Sequence, residues 1–143
     1  MSSFERAIGI AAEAHQGQKD KAGEPYILHS LRVMLRMSTR DERIAAVLHD
    51  LLEDTPWTRH DLVREGFTET VIEAVEALTR HPHESYDVFL ARVASNPIAI
   101  RVKLADLADN LDESRIVQPT DRDRRRMAKY DSARTFLLTT FSR

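Results

Sequence analysis

Apolar residues in this chain recur three and four positions apart in segment after segment, and that spacing limits the fold more than any other feature. Phe4, Ala7, Ile8, Ala11 and Ala14 share one helical face, with Ser2 or Ser3 placed as the N-cap. Residues 27–38, ILHSLRVMLRMS, repeat the pattern, and Asp41 opens a helix expected to run to about Asp54, before Pro56. Thr58 and Thr68 cap two more, ending near Gly66 and Thr79, and residues 85–95 make another. Pro97 sits where a first-turn proline belongs, ahead of AIRVKLADLADNL, and the last helix of about 20 residues reaches Phe141. GQKDKAGEP, HPHES and IVQPTD lack any period and read as loops. The expected fold is all-α, a single domain over residues 1–143, with no internal repeat and no linker long enough to divide it.

Composition removes several classes of function. A net charge of -2 gives no general reason to bind nucleic acid or a membrane surface. There is no cysteine, so disulfides and thiolate chemistry are excluded, in keeping with the cytoplasm. No apolar stretch approaches the length of a membrane span, and MSSFERAIGIAAEAH lacks the apolar block of a signal peptide. The sequence does not specify an oligomeric state.

The segment AAVLHDLLEDT, residues 45–55, carries more charge than a helix entering a core should. At about 100° per residue, His49, Asp50, Glu53 and Asp54 fall within roughly a 140° arc, opposite Ile44, Ala45, Leu48, Leu51 and Leu52. A charged stripe is usually a solvated face. Here Asp50 and Asp54 repel each other four apart, and no Lys or Arg follows Arg43 on this helix. A cation would resolve that repulsion. The dipeptide His-Asp occurs twice, and the second, His60-Asp61, reads as structural because Asp61 is placed to support the Thr58 cap.

Further ligands must come from other helices. His29 stands among Leu28, Leu31 and Val33, and Asp106 stands inside VKLADLADNL with Asn110 one turn later. A lone histidine in such a place is more often a satisfied core residue, but a buried aspartate needs a partner or a cation. Two imidazoles with two carboxylates suit Mn²⁺, Fe²⁺, Co²⁺ or Zn²⁺ more than Ca²⁺.

His29, the His49-Asp50 pair and Asp106, in this order on helices, resemble the HD superfamily of metal-dependent phosphohydrolases. GEPYI-H, AAVLHDLLEDT, ALTR and RVKLADLADNL together are similar to the hydrolase domain of the RelA/SpoT family, and most of all to the small stand-alone alarmone hydrolases. The likeness covers roughly residues 4–140. It implies an HD-type helical bundle that binds one Mn²⁺ through His29, His49, Asp50 and Asp106, other divalent transition metals being alternatives. It implies removal of the 3′-pyrophosphate of (p)ppGpp, giving GDP or GTP and pyrophosphate. Glu53 and Asp54 match the acidic pair that serves the attacking water. Asn110, Arg126 and Tyr130 match residues that hold the nucleotide. Arg126 reads equally well as a solvated charge in DRDRRR, and Tyr130 as the edge of an amphipathic core.

Two departures bear on the substrate. Where the family often has Arg-Lys ahead of the loop, this chain has Gln18-Lys19-Asp20-Lys21-Ala22, so Lys19 and Lys21 supply the positive charge. Lysine is a poorer stacking and bidentate partner than arginine. The family's His-Pro is His29-Ser30 here, which leaves the ligand intact. Three readings follow: an alarmone 3′-pyrophosphohydrolase; an HD phosphohydrolase acting on another nucleotide, such as an adenine alarmone or NADPH; and a non-catalytic nucleotide-binding protein. The presence of all four candidate ligands and both acids argues against the third.

Overall fold

The computed structural model describes residues 3–112 and 118–141. Among them are nine helices: α1 Phe4–Ala14, α2 Ile27–Leu35, α3 Arg40–Val47, α4 Leu51–Asp54, α5 Arg59–Arg64, α6 Glu69–Ala77, α7 Tyr86–Ala94, α8 Pro97–Asn110 and α9 Asp121–Phe141. The expected all-α, HD-type bundle is what the chain adopts, and no strand occurs among the described residues. Of the expected IVQPTD loop, residues 116 and 117 lie outside the described residues. No described helix is long and apolar enough to cross a membrane.

Capping chemistry sets most helix starts. Ser3 Oγ accepts from the Arg6 amide, Thr58 from Asp61, Thr68 from Val71 and Ser85 from Val88. Each cap satisfies an amide that the first turn leaves without a partner. Asp61 supports the Thr58 cap, as expected: its Oδ2 accepts from the Thr58 backbone N–H at 2.9 Å.

Two expected boundaries move. α3 starts at Arg40, not Asp41, because Thr39 and Glu42 close a capping box. α2 stops at Leu35 rather than at residue 38. A third difference matters more: the helix expected to run unbroken to Asp54 is interrupted at Leu48–Asp50. The Ala46 carbonyl, which a continuous helix would offer to the Asp50 amide, accepts from His49 instead. Both the backbone N–H, at 3.3 Å, and the ring Nδ1, at 2.6 Å, reach it.

α3 lies at the centre, touching α1, α2, α6 and α8, while α8 also packs on α7 and α9. Ile44 through Leu48 are all buried, together with Leu51. Burial of such side chains is worth roughly 1.5–3 kcal/mol each and fixes the central helix firmly. The break after α3 therefore places His49 and Asp50 on an anchored turn, with α2 and α8 alongside.

The segment between α1 and α2 is the loop its composition suggests, and it carries internal bonds of its own. Lys19 and Pro25 form an isolated antiparallel bridge. Asp20 ties the tip, its N–H donating to the Glu24 carbonyl at 2.8 Å and its Oδ1 accepting from the Ala22 and Glu24 amides. Gly23, at φ +83°, supplies the left-handed turn that this tip needs.

Candidate metal centre and adjoining cavity

Three helical elements converge on one point. His29 comes from α2, His49 and Asp50 from the turn before α4, and Asp106 from α8. His29 Nε2 lies 2.8 Å from Asp106 Oδ1 and 3.9 Å from Asp50 Oδ2. His49 Nε2 lies 3.0 Å from Asp50 Oδ2 and 3.4 Å from the same Asp106 oxygen. His29, His49 and Asp106 are buried, and Asp50 is half-buried. His29, His49 and Asp50 form a group whose ligand atoms all lie within 4.8 Å of one another.

The opposite ring nitrogens fix what the Nε2 atoms can do. His29 Nδ1 donates to Asp109 Oδ2 at 2.6 Å, and His49 Nδ1 donates to the Ala46 carbonyl. With Nδ1 protonated in both rings, each neutral imidazole turns an Nε2 lone pair toward carboxylate oxygens. His49 Nε2 is buried and has no hydrogen-bond partner among the described residues. Lone pairs facing carboxylates repel unless a proton or a cation stands between them. Burial disfavours charge on His49, yet the Asp50 and Asp106 carboxylates outweigh it and hold the imidazole pKa well above its ordinary value. His29 moves the same way, burial being outweighed by Asp106 and Asp109. A site that draws protons onto buried imidazoles is one that a divalent cation can neutralise instead. The donor set of two nitrogens and two carboxylates fits such an ion.

A surrounding layer, largely unread in the sequence, holds these side chains. The Tyr26 hydroxyl donates to Asp50 Oδ2, and burial with the Asp50 charge keeps that phenol protonated. Lys103 Nζ donates to Asp106 Oδ2 at 2.8 Å, and Asn110 Nδ2 donates to Asp106 Oδ1 at 3.0 Å. Buried Asp109 accepts from Arg32 Nε at 2.7 Å as well as from His29. Lys103 and Asp109 stand three residues on either side of Asp106, so one helical face carries all three. That spacing was the available signal for them, and Tyr26 stands in the GEPYI motif itself.

Glu53 and Asp54 lie at the rim, exposed, and with Asp50 they form a second group of converging carboxylates. Glu53 Oε1 accepts the Arg80 backbone N–H at 2.8 Å. Partial desolvation and the Asp50 and Glu53 charges push Asp54 up to about 6. A cation at the cluster would reverse that push.

Beside the cluster opens a cavity of about 250 Å³. Lys19, Lys21, Asn110, Arg126 and Tyr130 all line it, together with Tyr26 and His29. Lys21 Nζ lies 5.5 Å from the Tyr130 ring centroid. Arg126 is half-buried and paired with Asp123. His60 is exposed, on α5.

Comparison with known proteins matches this arrangement to a family. The HD domain family model matches residues 7–86. A guanosine-3′,5′-bis(diphosphate) 3′-pyrophosphohydrolase of Aquifex aeolicus is 38% identical over 120 residues, covering 76% of this chain and 17% of the relative. The Haemophilus influenzae protein of the same name is 34% identical over 133 residues, covering 84% of this chain and 20% of its own length. The chain thus spans about a fifth of the curated relatives it matches. A solved structure described as a metazoan ortholog of SpoT that hydrolyzes ppGpp has a similar fold. It superposes with a TM-score of 0.75 at 24% identity, covering 94% of this chain and 84% of that one. On these residues and this match, the chain belongs to the HD domain family.

Proposed function

We propose that this protein hydrolyses the 3′-pyrophosphate of (p)ppGpp to GDP or GTP and pyrophosphate, with Mn²⁺ as the resident metal. The observation that carries the proposal is the meeting of His29, His49, Asp50 and Asp106 beside a cavity that His29 lines together with Lys19, Lys21, Asn110, Arg126 and Tyr130. The curated relatives named above are called by that activity.

His29, His49, Asp50 and Asp106 would hold the ion. When bound there, a divalent cation supplies Lewis acidity: it neutralises phosphoryl charge and acidifies water. The rest is work for the side chains. Asp109 and the Ala46 carbonyl hold the two imidazoles with Nε2 directed inward. Tyr26 and Lys103 hold one oxygen each of Asp50 and Asp106. Glu53, fixed by the Arg80 amide, orients the attacking water, and Asp54 beside it accepts the proton. Lys19, Lys21 and Arg126 bind the 5′-phosphates, Tyr130 stacks against the sugar or base, and Asn110 hydrogen-bonds the nucleotide. The substrate is a small molecule in the cytoplasm, and the function requires neither nucleic acid nor a membrane.

The test is pyrophosphate release from ppGpp with Mn²⁺ and with chelator, alongside ppApp and NADPH. Rapid Mn²⁺-dependent release from ppGpp is expected. Activity confined to another nucleotide would transfer the function to that substrate, and the lysines of residues 19–21 would be the place to look for the reason.

A further inference from the structure

On the side of the cluster facing α7 and α9, two cations, Arg80 and Lys129, lie against the Tyr86 ring, and a third, Lys103, lies over the neighbouring Phe89 ring, its charge acting on both Tyr86 and Lys129. Lys103 Nζ lies 2.8 Å from Asp106 Oδ2, the oxygen turned away from the two histidines. Lys129 Nζ, from α9, lies 4.1 Å from the centroid of Tyr86, and Arg80 Cζ lies 5.2 Å from the same centroid. The group is joined to the ligand cluster at two points. One is the Lys103–Asp106 pair, and the other is the bond from the Arg80 amide to Glu53.

Folding does not account for this grouping. Lys103 has a carboxylate partner, but Arg80 and Lys129 make no ion pair among the described residues. Arg80 Nε reaches only the Glu84 carbonyl, at 3.2 Å. Attraction to the Tyr86 face is worth about 0.5–2 kcal/mol for each cation, and mutual repulsion offsets it. Desolvation, then the charges of Arg80 and Lys103, depress the Lys129 pKa. The Tyr86 hydroxyl is buried and has no hydrogen-bond partner among the described residues. A buried unpaired donor costs about 1–3 kcal/mol, so a bound acceptor there would stabilise the arrangement. Gathered cations with an unused O–H donor are what a phosphate takes.

We propose that Arg80, Lys103 and Lys129, with the Tyr86 hydroxyl, form a subsite for the terminal phosphoryl group of the substrate's 3′-pyrophosphate. This rests on the function proposed above and specifies how the pyrophosphate is held. In that reaction the water oxygen attacks the phosphorus bonded to the ribose 3′-oxygen. The bond from that phosphorus to the 3′-oxygen breaks, its electron pair stays on the 3′-oxygen, and a proton completes the hydroxyl. Pyrophosphate departs carrying the oxygen of water. The nucleoside lies in the cavity of Tyr26, Asn110 and Tyr130, and the outer phosphoryl lies across the cluster against Lys103. The subsite therefore selects a 3′-pyrophosphate over a 3′-monophosphate.

The test is calorimetric titration of the Mn²⁺-loaded protein with pyrophosphate and, separately, with orthophosphate. Mn²⁺ is kept in excess over either anion, so that the metal-bound anion is the same species throughout. Arg80→Ala and Lys129→Ala are each expected to weaken pyrophosphate binding about tenfold or more, with orthophosphate affected about threefold or less. Tyr86→Phe should weaken it by a smaller factor, with Mn²⁺ affinity as the control in all three. Pyrophosphate affinity within threefold of wild type in both cation variants overturns the subsite, as does a wild-type protein that does not bind pyrophosphate. If ppGpp is not hydrolysed but pyrophosphate binding depends on these residues, the subsite stands and the substrate assignment falls. If ppGpp is hydrolysed and pyrophosphate binding ignores these residues, the subsite alone falls.

Discussion

Asp109 is a residue whose replacement separates orienting a ligand from being one. Its Oδ2 accepts from His29 Nδ1 at 2.6 Å, on the side of the ring away from the cluster. Asp109→Asn keeps the shape and removes the charge. A charge-assisted hydrogen bond contributes about 1.5–3 kcal/mol and a neutral one about 0.5–1.5, so the exchange forfeits about 1–2 kcal/mol of the force that holds the ring. Orienting partners of metal-binding histidines are typically worth 10–100-fold in metal affinity or activity. The two routes overlap at about tenfold. Asparagine can also turn its NH₂ toward Nδ1, which would favour the tautomer with the wrong nitrogen protonated and push the loss toward the larger figure.

Asp109→Asn should thus weaken Mn²⁺ binding about 10- to 100-fold, read by calorimetric titration of metal-free protein. Turnover of ppGpp should recover in large part at saturating Mn²⁺, because the ligands themselves remain. The fold should hold: Arg32, which also pairs with Asp109, is a third exposed and can be hydrated when that carboxylate is lost. Mn²⁺ affinity within twofold of wild type, in a variant with an unchanged circular dichroism spectrum, would refute the orienting role and with it the assignment of His29 Nε2 as a ligand atom.

Four other outcomes are expected. Asp50→Ala and Asp106→Ala should each abolish metal retention along with activity, and full metal content in either purified variant would show the ligand set to be wrong. Glu53→Gln should keep its metal and lose about 10²-fold or more in kcat, whereas exposed His60→Ala should match wild type in both assays; the reverse pattern would mean that the other His-Asp pair carries the chemistry. Chelation should lower the Tm, because Mn²⁺ binding adds stability with the logarithm of its free concentration, about 2.7 kcal/mol at a hundredfold excess over Kd, and a Tm indifferent to metal would contradict a site built from three core elements. Glu42→Gln should destabilise the fold by about 1–2 kcal/mol at pH 7. Burial works against the Glu42 charge, but Arg101 and the Ser38 and Thr39 amides overcome it and lower the carboxyl pKa. The stabilisation is therefore full above the unfolded pKa and disappears as pH falls through the lower folded value. Urea melts of the two proteins should converge in acid, and a gap that widens there would invert the sign.

Helices were legible because their signals are local. Ser3, Thr58, Thr68, Ser85 and the proline of α8 each announce a start within four residues. Thr39 and Asp41 are both good caps, and only the Glu42 side chain reaching back decides for Thr39. The antiparallel bridge of Lys19 and Pro25 carries no pattern of its own. It depends on Asp20 gathering two amides and on a glycine permitting the turn.

The site shows where local reading stops. A helical wheel puts His49, Asp50, Glu53 and Asp54 on one arc, and the wheel assumes a regular helix. The chain breaks that helix at Leu48–Asp50, through the hold of His49 on the Ala46 carbonyl. The gathering of these side chains thus survives for a reason the wheel does not contain. An unbroken helix would place His49 and Asp50 about 100° apart around its axis. The turn brings His49 Nε2 to 3.0 Å from Asp50 Oδ2. The same bond fixes the ring's tautomer. One contact therefore ends α3, turns His49 Nε2 toward Asp50 and Asp106, and fixes the proton on the opposite nitrogen.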